Sequence, residues 1–195
     1  NSSCCGVSAD ESMHCWGSNS SSQLNSPLGN YVSVDGGGEH YCALTIAGDV
    51  KCWGKNSDDQ TDVPQTNDVY VQVSLGYEHS CALRESDGYA YCWGRTGNNE
   101  NFPSANGPYE RLTGGQDYFH CGLLHGGAYD CWGNGTYRSK INQDEFEYLE
   151  ARRDLGPYIS VETSNYDHAC AVRRDLSPVC FGNSNSSNKL KIPTL

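Results

Sequence analysis

The stretch Tyr31-Val32-Ser33-Val34-Asp35-Gly36-Gly37-Gly38-Glu39-His40-Tyr41-Cys42-Ala43-Leu44-Thr45-Ile46-Ala47-Gly48-Asp49-Val50-Lys51-Cys52-Trp53-Gly54 decides the fold. Residues 31–34 alternate as a strand, the glycine-rich run to His40 turns, and Tyr41 to Leu44 begins a second strand. If Cys42 lies opposite Cys52, Leu44 lies opposite Val50 on the same face, because side chains repeat every two residues. That register leaves a three-residue loop centred on Ala47, with Gly48 at the left-handed position such hairpins use. The spacing therefore predicts a hairpin stapled across its strands by a Cys42–Cys52 disulfide.

The same signature occurs five times. The further pairs are Cys5–Cys15, Cys81–Cys92, Cys121–Cys131 and Cys170–Cys180, and each second cysteine opens a Cys-Trp-Gly or Cys-Phe-Gly triplet. All four tryptophans sit in these triplets, at Trp16, Trp53, Trp93 and Trp132. First cysteines stand 37, 39, 40 and 49 residues apart, the period of one propeller blade. We expect an all-β fold: a β-propeller of five repeats in a single domain over residues 1–195, incompletely closed. The units run from about 1–27, 28–64, 65–103, 104–156 and 157–195. Pro27, Pro64, Pro103 and Pro193 follow the triplets and are expected to end an outer edge strand, where a missing N–H costs nothing. The long fourth unit carries an inserted loop, 134–156. Its segment Asp144–Arg153 has early acids and late bases, the charge order of a short surface helix.

Eleven cysteines at regular spacing point to an oxidising, extracellular location. Zinc sites use tight Cys-x2-Cys pairs or histidines converging on one ion, whereas each unit here is complete by itself, so no metal is expected. Sequons at Asn1, Asn19, Asn134 and Asn185 fit N-glycosylation of a secreted chain. The net charge of −11 excludes a nucleic-acid groove, which needs clustered Lys and Arg. No apolar run approaches the ~20 residues of a membrane span. There is no signal peptide, as expected of a mature or trimmed chain.

The run Val-x-Val-x-x-Gly-x-x-His-x-Cys-Ala-Leu, closed by Gly-x-Val-x-Cys-Trp-Gly, resembles the repeat of the regulator of chromosome condensation family. Residues 32–54 and 71–94 carry it most clearly. The resemblance implies a β-propeller, commonly of seven blades, and the paired cysteines are similar to extracellular branches such as crinkly-type receptor ectodomains. Two departures stand out: five units are present, and the family's Gly-Gln-Leu-Gly tail is reduced to Ser22-Gln23-Leu24 and Asp59-Gln60-Thr61.

Irregular positions draw functional attention. Cys4 is left over after the five pairs, available for a bond to another subunit. Residues Ser3 to Val7 align with His40 to Leu44, so the first unit lacks its leading strand, and an unpaired edge of this kind can recruit a strand from another molecule. His40, His79 and His168 precede the first cysteine by two positions and His120 by one. With one such position per blade they are expected far apart, in structural hydrogen bonds. The tryptophans are expected to pack between blades. No Gly-x-Ser-x-Gly elbow or nucleophile–base–orienter set is present, so neither catalysis nor a cofactor is expected. Two readings follow. One is a structural or interaction module for other protein chains, including copies of itself as a homo-oligomer or fibre. The other is a recognition domain for a glycan or small molecule on one propeller face.

Overall fold

A computed structural model describes residues 3–95, 107–114, 119–125, 127–133, 158–163 and 168–182. Fourteen strands lie among the described residues. They are β1 (Ser3–Val7), β2 (Met13–Gly17), β3 (Tyr31–Gly36), β4 (His40–Thr45), β5 (Val50–Gly54), β6 (Tyr70–Leu75), β7 (His79–Arg84) and β8 (Ala90–Gly94). There follow β9 (Tyr109–Gly114), β10 (Phe119–Leu124), β11 (Tyr129–Gly133), β12 (Tyr158–Thr163), β13 (His168–Arg173) and β14 (Pro178–Gly182). They make one two-stranded sheet, β1-β2, and four three-stranded antiparallel sheets, each an inner strand followed by the stapled hairpin. The fold is all-β and propeller-like. Inner strands β3, β6, β9 and β12 stand next to one another, with β1 beside β3.

In every hairpin the two cysteines are direct cross-strand partners: Cys5 with Cys15, Cys42 with Cys52, Cys81 with Cys92, Cys121 with Cys131, and Cys170 with Cys180. Four of these pairs are bonded in the structure, and Cys121 is also disulfide-bonded. The β4–β5 turn closes through Thr45 and Asp49, and Gly48 takes φ +83°. A side chain at Gly48 would stand 2.4 Å from Val69 Cγ1, so the turn needs glycine for room as well as for φ.

The left-handed turn residue also joins units. Its carbonyl accepts the N–H of the tyrosine that opens the next inner strand: Glu11 from Tyr31, Gly48 from Tyr70, Gly88 from Tyr109 and Gly127 from Tyr158. All four tyrosines are buried. Directly after each comes a β-bulge, which leaves Val32, Val71, Glu110 and Ile159 unpaired against the neighbouring strand. The Val-x-Val pattern is therefore not one uniform face. Val71 is exposed, while Val73, beyond the bulge, lies in the core.

An outer fourth strand was the expectation, and the described residues correct it. Residues 18–30 and 55–69 form turn-rich loops instead. Asn19 Oδ1 accepts Leu24 N and Gln23 Oε1 accepts Ser21 N; Asn56 with Thr61 and Gln60 with Asp58 repeat the arrangement. Side chains that bond their own loop backbone compete with a sheet ladder, and here they win. Asn1, Asn134, Asn185, Pro103, Pro193 and the 144–153 helix lie outside the described residues.

Candidate functional site: the joints between units and the surfaces they leave

The Gly-x-x-His-x-Cys segment has one physical job at each joint. Gly37 N–H donates to His40 O, and Gly76 N–H to His79 O, so each glycine lies beneath the ring that follows it. A Cβ there would stand 2.3 Å from His40 Cε1 or 2.2 Å from His79 Cε1. The spacing exists so that a buried imidazole can lie across its own turn and reach the next unit.

What it reaches is the residue before the next unit's first cysteine. His40 Nε2 lies 2.9 Å from Ser80 Oγ, and His79 Nε2 lies 2.6 Å from His120 Nδ1. In the first joint Tyr41 Oη donates to Ser3 Oγ at 3.0 Å. Each pair joins the position two before one unit's cysteine to the position one before the next unit's. His120 is therefore not a displaced copy of His79 but its partner. The expectation that the histidines stand far apart is corrected: neighbouring units meet where these two positions lie, so residues forty apart in sequence touch.

Hydrogen bonds assign the tautomers. Ser80 Oγ donates to Gln60 O, so it accepts from His40 Nε2–H. His120 Nε2 sits 3.0 Å from Ser74 O and must donate, which makes its Nδ1 the acceptor for His79 Nε2–H. All three rings are neutral. Burial pushes His40 and His120 down to about 4 and His79 well below its usual value, with the neighbouring histidines adding to the effect at His79. Donor atoms of His79, Cys81 and His120 lie within 4.8 Å of one another. Cys81 is bonded to Cys92, however, and the facing ring nitrogens hold a shared proton. The donor set is a hydrogen-bonded core and offers no thiolate to an ion.

Three triplet tryptophans lie in these joints, 6%, 7% and 0% exposed at Trp53, Trp93 and Trp132. Trp53 Nε1 donates to Gln23 O and Trp93 Nε1 to Gln60 O, each in the loop of the preceding unit. The reduced repeat tail is thus a tryptophan cap. Its left-handed positions are filled by Ser22 (φ 65°) and Asp59 (φ 58°) in place of the family's glycine. Trp16 differs: it is 58% exposed. The signal for the cap was in the sequence, since Gln23 and Gln60 each follow their triplet tryptophan by seven residues.

Two concavities lie along the inner strands. One of about 650 Å³ is lined by β3, β6 and β9 and includes Asp35, Gln72, Glu110 and Arg111. Its polar groups also stitch the units together: Gln72 bonds both the N–H and the carbonyl of Leu112, and Asp35 accepts Leu75 N–H. The other, about 390 Å³, lies between the first two units and is edged by Cys4, Asp35 and Tyr41. Cys4 is exposed with a free thiol. Asn19 is exposed, and its Nδ2, the atom a glycan would take, is not the atom used in its loop bond. Exposed β-branched side chains stand on three bulges, Val32, Val71 and Ile159.

This combination defines a disulfide-stapled repeat protein of the propeller class, whose buried polar residues join units. Residues 31–60 and 70–101 match the regulator of chromosome condensation (RCC1) repeat. Those two segments are repeats of that type, and the cross-strand disulfides fit its cysteine-paired form. It is similar to the entire ectodomain of the receptor kinase CR4 from Physcomitrella patens, at 27% identity and TM-score 0.74, over 92% of this chain and 50% of that one. It is also similar to the CRINKLY WD40 ectodomain of the receptor kinase ACR4 from Arabidopsis thaliana, at 25% identity and TM-score 0.71, over 97% of this chain and 65% of that one. The yeast protein Prp20p, from Saccharomyces cerevisiae, shares the fold at 20% identity and TM-score 0.64, over 87% of this chain and 52% of that one. The chain thus spans between half and two thirds of the length of these structures. Among the described residues no helix is long and apolar enough to cross a membrane.

Proposed function

We propose that this chain is a non-catalytic extracellular glycoprotein module that presents a rigid propeller-type surface to other protein chains, copies of itself included. The observation that carries this reading is the division of labour between buried and exposed positions. The buried histidines, glutamines and tryptophans of the motif are committed to joints, while each bulge turns one side chain outward: Val32, Val71, Glu110 and Ile159. Exposed aliphatic side chains at repeated positions suit protein contacts better than chemistry. The staples fit an oxidising compartment, and the likeness to two receptor ectodomains supports the same setting.

The test is binding of the purified, glycosylated chain to a panel of purified extracellular proteins, in parallel with a glycan array. A protein partner whose affinity falls tenfold or more with Val71→Glu supports the reading. Binding to a defined oligosaccharide that Val71→Glu weakens and Val32→Glu leaves unchanged, with no protein partner, would transfer the function to ligand recognition in the 650 Å³ concavity, which Val71 lines and Val32 does not.

A further inference from the structure

The exposed aliphatic side chains are gathered at one end of the sheets. Among the described residues they are Leu28, Val32, Ile46, Val69 and Val71, with Ile159 and Leu176 in the last unit. Every one stands where the hairpins turn and the inner strands begin. Hydrogen bonds run that end into one row. Asn30 Nδ2 donates to Glu11 Oε2, and Asn30 O accepts Ile46 N–H. Val69 lies over the Gly48 turn, and its carbonyl accepts Glu85 N–H. Val32 and Val71 each follow the tyrosine tied to the turn of the preceding unit. Ile46, Val69 and Val71 belong to units with a described unit on either side, and they stand at the ends of the sheets, not on faces turned toward a neighbouring unit.

The turns that frame this row carry acids. In the first three hairpins and the segments leading into β3 and β6 they are Asp10, Glu11, Asp49, Asp68, Glu85 and Asp87. The bases there are already engaged. Arg84 lies 3.8 Å from Asp68 and 2.7 Å from Asp87, and Lys51 Nζ donates to Leu28 O. Asp10, Glu11, Asp49 and Glu85 form no ion pair among the described residues. The opposite end of the same sheets is built differently, since Lys55 and Arg95 there neutralise Glu39 and Glu78. One end therefore pairs its charges, and the other combines aliphatic side chains with uncompensated negative charge.

We propose that this turn end is a docking surface for a partner protein that presents aliphatic side chains flanked by lysines or arginines. This rests on the protein-interaction reading above and names the chemistry of the partner. Contiguous exposed aliphatic side chains with a polar rim mark a protein contact. The sign of the rim selects among partners: covering Asp49 and Glu85 strips water from two carboxylates, which only bases brought by the partner can offset. A second copy of this chain would set the same acids against them, and an anionic membrane would be repelled likewise.

The test is fluorescence anisotropy of labelled peptides titrated with the 195-residue chain at physiological salt, which screens charges beyond about 8 Å. The probe is an amphipathic leucine–lysine peptide, and its leucine–glutamate and serine–lysine counterparts are the comparisons. The probe is expected to bind, and either counterpart to bind weaker by about tenfold or more. Ile46→Ser and Glu85→Lys alter exposed side chains, so each should keep the parent melting temperature and weaken the probe by about tenfold or more. Asp62→Lys changes the net charge as much as Glu85→Lys does. It lies in the loop bonded to Asn56, away from the row, and should leave binding within about twofold. Equal losses in Asp62→Lys and Glu85→Lys would mean general attraction to a chain of net charge −11 and would overturn the proposal. Binding unchanged by Ile46→Ser also overturns it, as does a preference for the leucine–glutamate peptide. Co-sedimentation with phosphatidylcholine vesicles that Ile46→Ser abolishes overturns it too, by making the row a lipid contact. If the probe fails while a panel protein without such a basic strip loses affinity with Val71→Glu, the partner chemistry proposed here is refuted and the broader interaction reading stands.

Discussion

Lowering the pH from 7 to 5 should destabilise the fold, and the joint histidines set the size of the effect. His40 is buried, with Nε2–H bonded to Ser80 Oγ, and it is faced by the charges of Glu78 and Lys55. His120 is buried between His79 and Ser74 O. Burial holds both near 4 in the native chain, below the 6.5 of an unfolded histidine. Between those values the unfolded state binds protons that the native state refuses, so stability falls as pH falls and is fully present only above about 6.5. At pH 5 the loss is about 2 kcal/mol for each of these two residues, with His79 acting in the same direction. Urea titrations followed by tryptophan fluorescence at several pH values measure it directly. His40→Gln keeps a donor for Ser80 but cannot be protonated, so it should remove its share of the slope, about 2 kcal/mol at pH 5. A flat profile between pH 7 and 5 would refute the reasoning, as would an NMR titration placing the His40 midpoint near 6.5.

Three further outcomes follow from the joints and turns. Gly76→Ala drives a Cβ to within 2.2 Å of the His79 ring and should cost about 3 kcal/mol in chemical denaturation, while the exposed Ser20→Ala should cost little. Glu11→Gly relieves a left-handed non-glycine residue, φ 68°, while keeping its carbonyl bond to Tyr31, and should raise the melting temperature by the equivalent of about 0.5–1 kcal/mol. Replacing Cys42 and Cys52 together by alanine should lower stability by about 3 kcal/mol through the lost loop closure, and that difference should vanish when parent and variant are compared under strong reductant.

The hairpin, its register and its three-residue turn were legible because they rest on local pattern: period-two alternation, a cysteine spacing and one glycine. The family resemblance added the propeller. Contacts between units were not legible in the same way, because no residue in His40-Tyr41-Cys42 announces that its partner is Ser80. Only superposing the units reveals that position minus two meets position minus one of the next in each of the three described joints. The same step turns His120 from an irregularity into a partner. The expected outer strand failed for a local reason: Asn19, Gln23, Asn56 and Gln60 satisfy the backbone of their own loops, which uniform strand reasoning around Pro27 and Pro64 does not register. The bulges failed for another. Val32-x-Val34 and Val71-x-Val73 read as simple alternation, and nothing in those residues marks the extra residue after each tyrosine.

That bulge separates what this fold constrains from what it leaves to selection by a partner. The tyrosine before it is buried in all four inner strands and tied by its N–H to the preceding turn, so its identity serves packing. The residue on it lacks a cross-strand partner, and so accepts valine, glutamate or isoleucine at Val32, Val71, Glu110 and Ile159 with the backbone path unchanged. Those positions are nevertheless held in fixed relation, because His40–Ser80, Gln72–Leu112 and His79–His120 tie consecutive units together. A surface whose side chains are free to vary and whose frame is not can be retuned to new partners by substitution alone. Loosening the frame by protonating its histidines should therefore weaken every contact made along that row together, whereas a substitution at Val71 should affect only the partner that touches it.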